Sequence, residues 1–86
     1  MYWDVVDISP IATREWAVRF ADGLSGTIRM DLSFCKGVFE SLRSDDRVKQ
    51  AMIEAGVVSW PNGLDLAPDT MYRKIKNSPD RCYVLT

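Results

Sequence analysis

Residues 15–32 read EWAVRFADGLSGTIRMDL, with two runs of alternating apolar and polar side chains on either side of an Asp-Gly pair. Such alternation is typical of strands with one buried face, so the stretch predicts a β-hairpin. A two-residue loop would place inward-facing Phe20 opposite outward-facing Ser25, whereas a three-residue loop keeps cross-strand partners on the same face. We therefore predict a loop of Ala21, Asp22 and Gly23, with Asp22 shaping the turn, glycine in the left-handed conformation, and the pairs Phe20–Leu24, Val18–Gly26 and Trp16–Ile28.

The segments flanking the hairpin predict further short strands and helices. Tyr2–Ile8 is rich in aromatic and β-branched residues and predicts a strand that ends at Ser9-Pro10, because proline cannot donate to a ladder. Ser44 is a good N-cap, and apolar residues recur at helical spacing from Val48 to Ala55, which predicts the main helix. The remaining predicted elements are a short cap helix after Gly37, a strand at Val57–Trp60, a helix starting near Pro68, and an edge strand through Tyr83, Val84 and Leu85.

The resulting fold class is α+β: a small antiparallel sheet with an N-terminal hairpin and two to three short helices. A chain of 86 residues is too short for two ordinary cores, so residues 1–72 are predicted to form a single domain. Residues 70–86 contain four basic and one acidic side chain. The sequence therefore predicts a basic C-terminal extension over residues 73–86 that can dock on the domain.

Composition excludes several classes of function. The chain has no histidine, which removes Ser-His-Asp and Cys-His catalysis and histidine-bearing zinc motifs. No ligand spacing predicts a metal site, and no cofactor is expected. The two cysteines, Cys35 and Cys82, are predicted to be free thiols, with a bridge between them as the alternative. No apolar run approaches the roughly 18 residues that span a bilayer, so we expect a cytoplasmic protein that does not enter a membrane.

Three stretches carry a family resemblance: VRFADG at 18–23, GVFESL at 37–42 and WPNGLDLAPDTMY at 60–72. In this order and spacing they resemble the bacterial family known as domain of unknown function 2442, from about Val5 to Tyr72. The resemblance implies a small α+β fold and no established catalytic residues. Its members either stand alone or continue into a helix-turn-helix, and some look like the antitoxin half of small gene pairs. This chain departs at Ser41, where relatives often have proline, and it ends in a tail, which weakens a direct DNA-binding role.

Trp60, Asn62 and Asp65 are the first candidate binding residues. On the stiff Pro-Asn-Gly turn, an indole can pack against a partner, while an amide and a carboxylate supply directional hydrogen bonds. The alternative is that these residue types only build the turn, with Trp60 in the core.

Arg73, Lys74 and Lys76 form the second candidate set, beside Tyr72 and near Arg81 and Tyr83. Aromatic and basic side chains together are typical of surfaces that bind nucleic acid. The alternative is a solvated helix face.

The sequence predicts no catalytic residue, although Glu40, Asp65 and Asp69 would be the carboxylates available to an enzyme. We expect a non-enzymatic interaction module that binds a protein partner, or a second copy of itself, through a sheet edge and the loop from Trp60 to Asp65. It could act as the antitoxin-like or regulatory half of a small bacterial gene pair. The alternative is a nucleic-acid-associated regulator acting through the basic C-terminal segment.

Overall fold

The fold is built around the predicted hairpin, and the computed structural model of the chain describes all residues 1–86. The main sheet has the strand order β1-β2-β3-β6, with β1 at Val5–Ala12, β2 at Glu15–Phe20, β3 at Ser25–Met30 and β6 at Cys82–Leu85. A second sheet pairs β4, Met52–Glu54, with β5, Val57–Ser59. The helices are α1, Asp45–Val48, and α2, Pro68–Asn77, with 310 segments at Leu32–Phe34 and Gly37–Arg43. The predicted α+β class is confirmed.

The hairpin has the predicted register. Val18 pairs with Gly26 and Trp16 with Ile28, while the Phe20 N–H donates to the Leu24 carbonyl at 2.8 Å. Gly23 has a φ of +94°, the left-handed conformation that the three-residue loop requires. The Asp22 side chain accepts a hydrogen bond from the Leu24 N–H at 3.0 Å, so it shapes the turn as expected.

One face of the main sheet carries the core. Its buried residues include Trp16, Val18, Phe20, Ile28, Met30 and Leu85, whereas Arg19, Ser25 and Arg29 on the other face are exposed. Helix α2 covers the inner face and adds three buried side chains, Met71, Tyr72 and Ile75. No helix in the structure has both the length and the apolar character needed to cross a membrane.

Arg14, in the β1–β2 turn, holds the 310 segment Gly37–Arg43 over the core. Its guanidinium donates to the carbonyl oxygens of Leu42 and Arg43, each at 2.6 Å. Leu42 is fully buried, as expected of a short cap on the sheet. A charged group that bonds two carbonyls is a strong local anchor, because hydrogen bonds to charged groups are the stronger kind.

The predicted main helix over Ser44–Ala55 is wrong. Helix α1 ends after four residues, and β4 and β5 form a hairpin with Ala55-Gly56 as its loop. Ala55 and Gly56 have φ values of +52° and +80°, which is the backbone of a two-residue hairpin turn. Gly56, which follows the last residue of the predicted helix, is therefore the second residue of this turn.

The first strand also differs from its prediction, since β1 continues through Ser9-Pro10 to Ala12. Proline is tolerated because β1 is an edge strand, where a missing N–H costs no ladder bond. Register shifts between Val5 and Asp7 and between Pro10 and Ala12 accompany it. The extra residues there, Val6 and Ile11, are exposed.

The C-terminal tail docks as an edge strand, as expected for Tyr83–Leu85, but β6 runs parallel to β3, so the sheet is mixed rather than antiparallel. Helix α2 crosses the predicted boundary after Tyr72 without interruption. The Arg81 guanidinium bonds the carbonyl oxygens of Ile75 and Lys76 and caps the helix. Cys35 and Cys82 are both free thiols, as predicted.

Candidate functional site

A cleft of about 400 Å³ lies between the N-terminus and α2. Its aromatic side is made by Tyr2, Trp3 and Tyr72, whose rings meet edge to face. The Tyr2 centroid is 4.8 Å from that of Trp3 and 5.0 Å from that of Tyr72. Tyr2 is 56% exposed, whereas Tyr72 is buried, so Tyr2 is the ring that a ligand would meet. We call this site the aromatic–basic cleft.

Charged and polar side chains from one face of α2 complete the cleft: Asp69, Arg73, Lys76 and Asn77. The Lys76 ammonium lies 5.7 Å from the centroid of the Tyr72 ring, within cation–π range. Arg73 and Lys76, two of the three predicted basic site residues, therefore do lie together. Lys74 is exposed and does not line the cleft, and the Arg81 guanidinium is occupied by the end of α2.

Tyr72 is fixed from behind by the hairpin turn, because its hydroxyl donates to the Asp22 carboxylate at 2.5 Å. This bond, with a smaller contribution from the Leu24 N–H, lowers the pKa of Asp22 below its ordinary value. The same bond, together with desolvation, raises the pKa of Tyr72. Asp22 thus has a second role that its place in the turn did not predict.

The Tyr72–Asp22 bond predicts a pH-dependent contribution to stability. A lowered carboxyl pKa contributes above the ordinary Asp value of about 3.9 and is lost as pH falls through the folded-state pKa. A raised phenol pKa contributes below its ordinary value of about 10 and is lost as pH rises through the folded-state pKa. We expect the stability difference between wild type and Tyr72→Phe to be constant near neutral pH and to shrink at both extremes.

Urea denaturation of both proteins across pH measures this difference. Tyr83→Phe is the matched control, because it removes a phenol hydroxyl that makes no hydrogen bond in the structure. A Tyr72→Phe difference that is equal at every pH would contradict the prediction.

The predicted loop from Trp60 to Asp65 is held mainly by structural contacts. Trp60 is 2% exposed, and its indole N–H donates to the Val48 carbonyl at 3.0 Å. The Asn62 amide donates to the Ser41 hydroxyl at 2.9 Å. Ser41 therefore ties the loop to the 310 segment. Asp65 is exposed, and neither Asp65 nor Asn62 lines the aromatic–basic cleft.

The carboxylates that an enzyme would use are all on the surface. Glu40, Asp65 and Asp69 are exposed to solvent. No group of three or more acidic or cysteine side chains is placed to hold a metal ion.

The two edges of the main sheet differ in how they are protected. At β1, the Val5 N–H is bonded to the Gly56 carbonyl at 2.9 Å, and Pro10 and two register shifts interrupt the rest of the edge. At β6, the Arg81 carbonyl just before the strand accepts a bond from the Thr27 N–H of β3, and the Leu85 carbonyl accepts one from the Asp31 N–H just after β3. Successive residues of a strand direct their N–H and C=O groups alternately to the two sides. Because the Leu85 carbonyl faces β3, the N–H and C=O of Val84 face outward, and no further strand covers them. The exposed edge is therefore β6.

Sequence reasoning missed Tyr2, which it placed within the first strand, and it gave Arg14, between the first strand and the hairpin, no role. Tyr2 precedes β1 and packs against a helix from the other end of the chain. The only local signal was a pair of adjacent aromatic residues, Tyr2 and Trp3, next to Asp4. For Arg14 the sequence holds no signal, because its partners are carbonyl oxygens of a distant segment.

Comparison with known proteins gives a family and nothing closer. No curated protein and no solved structure matches the chain. The family of proteins of unknown function called DUF2442 matches residues 3–77, which is most of the chain and includes all three stretches that carried the resemblance. Lys76 and every cleft residue except Tyr2 fall within the match. The chain therefore belongs to the DUF2442 family.

Proposed function

We propose that this protein is a non-enzymatic interaction module that binds a protein partner by adding a strand to the open edge of β6. The observation that carries the proposal is the contrast between the two sheet edges. Natural sheets protect edges that must not pair, and β1 has three such protections: proline, bulges and a covering turn. Strand β6 has none of them along Val84.

The edge is suited to strand addition in both its backbone and its side chains. Main-chain hydrogen bonds supply affinity in this binding mode, and alternate side chains supply specificity. Cys82, Tyr83 and Val84 are all half-buried, so a partner strand would find apolar surface beside the free N–H and C=O of Val84, while the Cys82 N–H donates to the Ser78 hydroxyl. Tyr83 and Leu85 face the core side with Ile28 and Met30. A partner can therefore contact the side chains of Cys82 and Val84, on the opposite face, without disturbing the core.

The family resemblance suggests who the partner is. Some relatives look like the antitoxin half of small paired genes, so we infer that the partner is the product of a neighbouring bacterial gene and that the module acts as the regulatory half of such a pair. The alternative, self-association through the same edge, would produce a symmetric dimer. A catalytic role has less support, because the three candidate carboxylates are exposed and histidine is absent.

Val84→Pro tests the proposal directly. Proline removes the outward N–H and adds bulk on the open side, while every bond between β3 and β6 can remain. We expect the variant to fold with an unchanged circular dichroism spectrum and to lose the partner. Val84→Thr is the matched control, since threonine keeps the β-branch and the N–H.

The measurement is copurification of the tagged protein with the coexpressed product of the neighbouring gene, with light scattering to detect self-association. The proposal fails if the wild type is a strict monomer that retains no neighbouring product. It also fails if Val84→Pro binds as well as wild type.

A nucleic-acid role is the second candidate, and the meeting of Arg73 and Lys76 with two tyrosines is the observation in its favour. The cleft holds fewer basic side chains than the sequence predicted, because Lys74 lies outside it and the Arg81 guanidinium bonds carbonyl oxygens at the end of α2. Nonspecific nucleic-acid binding comes from the phosphates that basic side chains neutralise, and this cleft supplies only two such side chains. A protein partner is therefore the better supported candidate.

A further inference from the structure

The aromatic–basic cleft contains two cations, Arg73 and Lys76, that form no salt bridge. The ion pairs of the structure are Met1–Asp4, Arg14–Asp45 and Arg29–Asp31, and none of them involves Arg73 or Lys76. Arg73 makes no hydrogen bond to the protein, and Lys76 lies over the face of the Tyr72 ring, where its charge also acts on the Asp22 carboxylate. Two free cations beside an exposed aromatic ring are suited to an anionic group that also has apolar surface.

The same cleft has features that disfavour a uniformly anionic ligand. Asp69 lines it, and the Asp22 carboxylate lies directly behind Tyr72. These two negative charges would repel a run of phosphates. A peptide suits the mixture better, because its carboxylates can meet Arg73 and Lys76 while its N–H groups meet Asp69 and the Asn77 amide oxygen.

We propose that the aromatic–basic cleft binds an acidic peptide segment, in which carboxylate side chains flank an aromatic or aliphatic residue that packs on Tyr2. Since it assigns this segment to the protein partner, the inference rests on the proposed function. It adds a second contact surface, separate from β6, and states the chemistry of what binds there. The guanidinium of Arg73 can hold a carboxylate through two parallel hydrogen bonds, while Lys76 provides a point charge.

Tyr2 gives the cleft its selectivity for a peptide with an apolar residue. Its ring is held by edge contacts to Trp3 and Tyr72 on one side and is open to solvent on the other. A rigid, half-packed aromatic side chain offers contact area with little loss of conformational entropy. Tyr2→Ala should therefore weaken peptide binding without changing its dependence on salt.

The experiment uses a fluorescein-labelled peptide with one glutamate on each side of a central tyrosine and only alanine and glycine elsewhere, and fluorescence anisotropy with the full chain. The counter-probes are the same peptide with glutamine in place of glutamate, and an oligothymidylate of matched length. We expect the glutamate peptide to bind, and Arg73→Glu/Lys76→Glu to weaken it by about tenfold or more. Lys49→Glu/Lys74→Glu makes the same change in net charge at exposed positions outside the cleft and should change the affinity by less than about twofold.

Three results would each overturn the inference. They are no binding of the glutamate peptide, an equal loss in the two double variants, or tighter binding of the oligothymidylate than of the peptide. Val84→Pro separates this inference from the proposed function, because Val84 does not line the cleft. The variant should bind the glutamate peptide as wild type does even though it loses the partner. The hypothesis about β6 and the hypothesis about the cleft can therefore be contradicted separately.

Discussion

Replacing Trp60 by alanine should remove a large part of the stability of this protein. The indole is 2% exposed and packs edge to face on Trp16, with ring centroids 6.2 Å apart. Truncating a buried tryptophan to alanine typically costs about 3–5 kcal/mol. Small domains unfold with about 5–15 kcal/mol in total, so the variant would be marginal at best.

Urea denaturation gives the free energy of unfolding, and two further variants divide the effect. Trp60→Phe keeps most of the ring but leaves the buried Val48 carbonyl without its donor, which should cost about 1–3 kcal/mol. Trp3→Ala removes a half-buried tryptophan and should cost less than Trp60→Ala. If Trp60→Ala unfolded at the wild-type urea concentration, Trp60 would have to be a surface residue of a binding loop rather than part of the core.

Gly26→Ala should have the second large effect, through overpacking rather than a cavity. An added Cβ would lie 2.5 Å from the Arg81 carbonyl oxygen and 2.6 Å from Cγ2 of Ile75. The first neighbour is backbone and cannot rotate away, so either α2 or the start of β6 must move. Inserting one carbon into a filled interior costs about 1–3 kcal/mol, and a contact with backbone favours the upper end of that range.

The change should be felt first where β6 joins the sheet. The Thr27 N–H donates to the Arg81 carbonyl at 2.8 Å, so displacing Arg81 weakens this bond. We expect Gly26→Ala to speed hydrogen exchange at Thr27 more than at residues of the β1–β2 pair. Ser25→Ala is the matched control in the same strand, at an exposed position with no such contact. Equal exchange rates at Thr27 in the two variants would contradict the account.

The elements that the sequence predicted well are those whose causes are local. The hairpin follows from alternation and from an Asp-Gly pair, and both lie within residues 15–32. Helix α2 follows from Pro68 at its first position and from Met71, Tyr72 and Ile75 at helical spacing. The docked tail was foreseen from three apolar residues, although nothing in them distinguishes a parallel from an antiparallel neighbour.

The prediction of a helix over Ser44–Ala55 was wrong because the local signals there are ambiguous, whereas the predicted strand at Val57–Trp60 is present as β5. Val48, Ala51, Met52 and Ala55 fit a helix, and Gly56 is a common helix stop. The same glycine also fits a two-residue hairpin turn, and the packing of Val58 against the core decides between them. Nonlocal burial thus outweighs helix propensity here.

The candidate site was only half predictable. Arg73 and Lys76 could be identified as basic residues on one helix, but their partner Tyr2 comes from the opposite end of the chain. Trp60 could not be assigned to core or surface, because its neighbours in sequence are turn residues that suit both. In each case the sequence does not show which side chain, distant along the chain, packs against the residue in question.

The parallel pairing of β3 with β6 also governs how fast the protein can fold. Thr27 and Cys82 are partners although 55 positions separate them, since 82 − 27 = 55. Closing a loop of that length costs about 3–4 kcal/mol in chain entropy, and this cost is offset only after contacts between β3 and β6 have formed. The β2–β3 hairpin can form within microseconds, whereas the β3 edge must wait for α2 and β6 to arrive. During that interval β3 is an unpaired edge, so the productive folding rate and the tendency to aggregate are set by the same late event.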